Sequence, residues 1–177
     1  MKRLICLAVA VAFGQAGAQA APIYGISVPP GYRDWIVISV ATVGGPQNDL
    51  RVKLGNTVAI TAFRENTLPY PDGTIIARLA YRRDTSETNN IAFRAAAQAR
   101  GLPSDQLAKL VAESFVAGPP TNVQFMVKDS KKYASTGGWG FAEFTNGKPD
   151  NEAVHKTCFG CHTPAKDHDF VFTRYAP

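Results

Sequence analysis

The chain is 177 residues long, with a formal charge of +5, 45% hydrophobic and 19% charged residues, and three cysteines. Beyond its first twenty residues nothing approaches the roughly 20 consecutive apolar residues that cross a bilayer, so no membrane partner is expected. The charge excess is too small to imply a nucleic-acid partner, and Lys128, Lys131 and Lys132 read as a solvated face rather than a binding stripe.

Residues 1–20 read as a cleavable secretory signal. Lys2 and Arg3 form the charged start, Leu4 to Phe13 the apolar run, and Ala18-Gln19-Ala20 a small-x-small cleavage site. Cys6 lies too early in that run for a lipoprotein cleavage box. Losing Lys2 and Arg3 takes the formal charge from +5 to +3. Residues 21–177 remain, an ordinary size for one exported domain.

Trp35–Val43, rich in Ile and Val and apolar on both alternating faces, predicts a strand buried on both sides. Gly44-Gly45-Pro46 ends it, and Leu50–Leu54 is a second short strand. Thr57–Glu65 reads as a helix because Val58, Ala59, Ala62 and Phe63 fall at helical spacing. Pro69 to Gly73 form a turn, and Thr74–Arg82 a third strand. On that strand Arg78 shares a face with Thr74, Ile76 and Ala80. Either its stem is packed and its head is in water, or it is a cation directed into a pocket.

Ile91–Arg100 predicts an alanine-rich helix broken by Gly101-Leu102-Pro103. Ser104 is the expected N-cap of the next helix, whose Leu107, Leu110, Val111 and Phe115 form a core-facing stripe. Gly118-Pro119-Pro120 closes this helical scaffold. Asn122–Lys128 returns to strand, Asp129 caps a short helical turn, and Trp139–Phe144 is an aromatic strand. A polar loop, Thr145–Asn151, precedes the last segment and the tail Asp169–Tyr175. No repeat or low-complexity stretch interrupts the chain. The sum predicts an α+β fold, a mainly antiparallel sheet with a few short helices.

The last segment carries Cys158-Phe159-Gly160-Cys161-His162, the attachment signature of a c-type haem. Two thiols two residues apart each add to one haem vinyl group, and the adjacent histidine is placed to ligate the iron. A thioredoxin-like pair would need a strand before it and a helix opening at it. A zinc site would recruit both cysteines, His162 and either His155 or His168. Neither alternative explains a histidine directly after the second cysteine of an exported chain. One covalent haem near the C-terminus, with His162 as metal ligand, is therefore expected.

Electron-transfer cytochromes c fill the sixth iron position with methionine or a second histidine. Met126, the single methionine after processing, sits in a strand and reads as a core residue. His155 and His168 lie within a few residues of His162 and read as surface residues on the same side. An open or water-bound sixth position follows, and an open iron binds small molecules.

Met126 to Ala134, Gly138-Trp139-Gly140-Phe141, the haem motif and Val171 to Tyr175 resemble the cytochrome P-460 family. So do Tyr32 to Trp35 and Pro71 to Thr74. The resemblance implies a mainly antiparallel β fold, a homodimer, and a five-coordinate c-type haem in the periplasm. The family divides: cytochromes P-460 carry a lysine–haem cross-link and oxidise hydroxylamine, whereas cytochromes c′-beta lack it and bind nitric oxide or carbon monoxide. The position matching the cross-linking lysine is Arg78, and no lysine occurs between Lys53 and Lys109. Gln124 matches the distal carboxylate of the hydroxylamine oxidisers and cannot serve as a base at neutral pH. Arg51 matches an arginine of the family's distal region.

The expectation is thus an uncross-linked haem protein binding nitric oxide or a related small gaseous or nitrogenous ligand. Arg78, Gln124 and Arg51 would shape its distal side, with Phe63 or Phe125 as walls. One alternative is an oxidoreductase of hydroxylamine, another small nitrogen species or peroxide, working with a redox partner protein. Another is a six-coordinate electron carrier closed by Met126 or a histidine.

Overall fold

The computed structural model describes residues 24–176, so the signal-sequence reading of residues 1–20 lies outside the described residues. Six antiparallel strands follow one another across a single sheet in chain order. They are β1 (Ile36–Val43), β2 (Asp49–Gly55), β3 (Ile75–Asp84), β4 (Val116–Lys128), β5 (Trp139–Thr145) and β6 (Lys148–Pro149). Four helices, α1 (Thr57–Glu65), α2 (Glu87–Ala99), α3 (Ser104–Ala112) and α4 (Glu152–His162), complete the α+β architecture. None of the described helices is long and apolar enough to cross a membrane.

Alternation along the strands gives the sheet two different faces. On the inner face Ile76, Trp139 and Phe141 join Ile60 and Phe63 of α1, Tyr70 and Val171 in one core. On the outer face Leu54, Ala77, Leu79, Phe125 and Phe144 form a second cluster, against which Tyr24, Ile26, Val28, Tyr32 and Trp35 pack. The α1 helix follows its predicted bounds because Asn56 starts it, accepting the Ala59 amide at 2.9 Å. The same side-chain oxygen takes the Ile75 amide at 3.1 Å, which ties the helix to the start of β3.

Four expectations need correction. First, β1 is not buried on both sides: it is the sheet edge, with Ile36 49%, Val37 46% and Val40 72% exposed. An apolar run cannot by itself report whether a strand has one neighbour or two. Ile38 alone is fully buried, packed in the core with Ala59 and Ile60 of α1, and a bulge between Val37 and Ser39 leaves it out of the pairing. The Ile38 carbonyl is satisfied instead by the Ala176 amide at 2.9 Å.

Second, the stripe on α3 does not face the core: no residue of α3 is buried, and Leu110 and Phe115 are exposed. The α2 and α3 helices pack on each other instead. Caps also differ from expectation. Ser86 caps α2, accepting the Asn89 amide at 3.2 Å, so that helix starts at Glu87. Pro103 takes the cap position of α3 and Ser104 is its first residue.

Third, Gly118-Pro119-Pro120 lies inside β4 rather than before it. Proline brings no N–H to the ladder, and the pairing with β3 shifts register around Tyr81 where these residues pass. Fourth, the Thr145–Asn151 loop is a hairpin turn. Asn146 and Gly147 both take positive φ, 52° and 75°, the conformation that joins two strands through two residues.

Candidate functional site

The Cys-x-x-Cys-His motif closes α4. Asn151 caps the helix by accepting the Val154 amide at 3.1 Å, and eleven residues later the helix ends at His162. One turn in, His155 fastens α4 to β5. Its Nε2 accepts the Glu143 amide at 3.0 Å, and the side chain is 1% exposed. His155 is therefore a buried docking residue and not the surface histidine expected, because one face of α4 lies against the sheet. His168 is exposed, as expected.

Both cysteines occupy the last turns of a helix, whereas a thioredoxin-like pair sits where a helix begins. Burial pushes the Cys158 thiol up to about 11, the opposite of an activated thiolate. Among the described residues, no three His, Cys, Asp or Glu side chains are grouped to hold a metal ion.

His162 is held from three sides. Its Nδ1 lies 2.7 Å from the Phe170 carbonyl, so Nδ1 carries the proton and Nε2 keeps its lone pair. The rings of Phe141 and Phe172 lie 5.2 and 5.3 Å from the imidazole. Burial lowers its pKa, with the Phe170 hydrogen bond opposing, and the net effect favours the neutral form that ligates metals.

Between this segment and the sheet's inner face is a cavity of about 480 Å³. Register organises its floor. Lys53, Arg78, Gln124 and Glu143 stand directly opposite one another on β2, β3, β4 and β5. Two residues along, Ile76, Met126 and Phe141 make an apolar row in the same way. Polar and apolar rows thus lie side by side under α4, and Val171 and Phe172 of the tail add to the apolar wall.

The polar row is cross-linked by hydrogen bonds. Asp49, 5% exposed, accepts from Arg51 Nε at 2.8 and 3.0 Å and from Arg78 Nη2 at 3.0 Å. Gln124 Nε2 donates to Glu143 Oε2 at 2.6 Å. Burial, then the charges of Arg51 and Arg78, hold the Lys53 ammonium below its ordinary range, with Asp49 opposing. Arg78 Nε is buried with no partner among the described residues.

The structure therefore brings Arg51, Arg78, Gln124, Cys158, Cys161 and His162 to one cavity. Of the suggested walls, Phe125 is among the residues lining the cavity and Phe63 is not. Phe63 packs on Tyr70 and Tyr175 beside α1, and the Phe125 ring lies in the outer cluster with Tyr32 and Phe144. Met126 is half-buried at the cavity's edge as well as packed on the core. Sequence reasoning missed Asp49, Lys53 and Glu143. The alternation Trp139, Phe141, Glu143 could have placed Glu143 on the inner face, but its pairing with Gln124 depends on register.

These residues fit a haem. Two thiols and a neutral imidazole with a free Nε2 stand at one side of an apolar-walled cavity. Gly160 leaves open space between the cysteines. At the other side the Arg51–Lys53–Arg78 group offers cations, including the unpartnered Arg78 Nε, to acidic substituents. No relative was found among curated proteins. The model of the cytochrome P460 family, however, matches residues 29–173, and the chain belongs to that family of haem cytochromes.

Proposed function

We propose that the protein is an exported, periplasmic mono-haem c-type cytochrome with an open distal iron position that binds nitric oxide or a related small ligand. Cys158 and Cys161 hold the haem covalently, His162 ligates the iron, and no lysine–haem cross-link forms. One observation carries the open position: neither remaining histidine lines the cavity, since His155 is bound to the Glu143 backbone and His168 is exposed.

Haem supplies an iron that can take a small ligand. The protein's part is to position and to exclude. The Phe170 carbonyl keeps the proton on His162 Nδ1 and the lone pair on Nε2. Ile76, Met126, Phe141 and Phe172 exclude water from the apolar side. Arg78 cannot lose its proton and presents N–H donors to a polar ligand atom. Its tie to Asp49 keeps the guanidinium at the cavity floor. Titration of the reduced protein with nitric oxide, followed by absorption, should show saturable binding at one site per haem. Denaturing proteolysis with mass analysis should find haem only on the Cys158–Cys161 peptide, and in particular none on Lys53.

Two other readings each have one supporting observation. Glu143 is a carboxylate in the cavity, bonded to Gln124, where a proton acceptor for oxidation of a small nitrogen species would stand. That reading expects steady turnover with an electron acceptor or redox partner protein, lost in Glu143→Gln. Met126 lines the same cavity, and a thioether on iron would give a six-coordinate electron carrier. We further propose a homodimer that covers the exposed apolar edge of β1. Val40→Lys should then shift the sedimenting species from dimer to monomer, and a monomeric wild type would contradict it.

A further inference from the structure

Outside the cavity lining, next to the turn that meets His162, is a charged pair with no part in the reading above. Lys128 is not on the solvated face expected of it: Lys131 and Lys132 are exposed, but the side chains of Lys128 and Asp169 are only 6% and 10% exposed. Lys128 Nζ donates to Asp169 Oδ1 at 2.7 Å, to Oδ2 at 2.8 Å and to the Gly137 carbonyl at 3.2 Å. The Tyr70 amide donates to Asp169 Oδ2 at 2.9 Å. A pair so removed from water is a poor source of net stability, because desolvation offsets most of the attraction. The best attested use of such pairs is to fix one local arrangement.

The arrangement here is a strained turn beside the motif histidine. Asp169 and Phe170 both take left-handed φ, 52° and 64°, consecutively and without glycine. Such residues persist only where their surroundings hold them. Gly137 and Gly138 make the cradle. A Cβ on Gly137 would run into the Phe170 ring, and one on Gly138 would come within 3.2 Å of Lys128 Nζ. The outcome of the turn is one contact, the Phe170 carbonyl 2.7 Å from His162 Nδ1.

We propose that Lys128 and Asp169 are positioning residues for His162. Their buried pair locks the left-handed turn that holds the Phe170 carbonyl on Nδ1, and so sets how strongly the imidazole donates to iron. The inference rests on His162 being the iron ligand. A carbonyl on Nδ1–H fixes the ring plane and raises the basicity of Nε2, which strengthens the iron–histidine bond and favours the oxidised metal.

The test uses the full, haem-loaded protein. Lys128→Met removes the cation and keeps the length of the side chain. Asp169→Asn removes the charge and keeps an oxygen for the Tyr70 amide. Glu87→Gln, which breaks the exposed Glu87–Arg94 pair, is the control. The iron–histidine stretching frequency of the reduced protein and its reduction potential are read. In both variants the frequency should fall and the potential rise, while Glu87→Gln moves neither. Should Lys128→Met not fold, Asp169→Asn decides. Wild-type frequency and potential in Asp169→Asn would overturn the proposal, whatever happens to its melting temperature. His162→Ala separates this failure from that of the underlying reading: an iron–histidine band that survives there means that His162 is not the ligand.

Discussion

The two sides of the cavity are built on different principles. The histidine side is local in sequence: eleven residues of α4 carry both thiols and the imidazole, and a turn eight residues later supplies the carbonyl that holds His162. The sheet side is assembled from four strands, with Asp49 and Gln124 separated by half of the domain, and only register brings their partners together. One side is a motif and the other is a pattern of pairing. Substitutions on the histidine side should therefore remove a function outright, whereas those on the sheet side should retune it and cost stability.

The largest effect should come from the motif. Replacing Cys158 and Cys161 together by alanine should abolish covalently bound haem, seen as loss of haem on denaturing gels, while far-ultraviolet circular dichroism retains the sheet signal. Haem that stays bound through denaturation would break the contrast, since the sheet side would then contribute a covalent bond.

A smaller effect belongs to Asp49. Asp49→Asn leaves Arg51 and Arg78 facing each other without their shared carboxylate. Losing one partner of a fully buried pair costs about 3–5 kcal/mol, and about 2 kcal/mol is expected here because both arginines keep some contact with water. Denaturant unfolding measures this. Covalent haem incorporation should be unaffected, because the carboxylate lies on the other side of the cavity from the thiols.

The smallest effect is at Tyr70, whose amide meets Asp169. Burial raises its hydroxyl from 10.0 to about 12, with Arg174 opposing and Asp169 adding to the rise. The folded state thus keeps this proton where the unfolded state has lost it. Stability is unaffected below pH 10, and falls as pH rises through the window from 10 to about 12. Tyr70→Phe should flatten that part of the stability curve and leave the neutral region unchanged in slope.

Legibility in the sequence divides along the same line. The α1 helix and the motif were readable because each depends on residues close together, such as Asn56 capping Ala59 or the spacing of Cys158, Cys161 and His162. Arg51 and Gln124 entered only through family resemblance, Arg78 also through its place on an otherwise small and apolar strand face, and the structure gathers all three at one cavity. Lys53 and Glu143 were missed because a cross-strand neighbour is fixed by register. The β1 edge and the α3 stripe were misread for a related reason. Apolar periodicity shows that a surface needs cover, and does not show whether this chain provides it, as Val40 and Leu110 illustrate.

The central claim is that the iron above His162 is open. The measurement that tests it most directly is the absorption and resonance Raman spectrum of the reduced, haem-loaded protein without added ligand, taken alongside Met126→Leu. A five-coordinate high-spin signature, the same in both proteins, is the predicted result. A six-coordinate low-spin signature in the wild type that becomes five-coordinate in Met126→Leu would contradict it, and would make the protein an electron carrier closed by Met126.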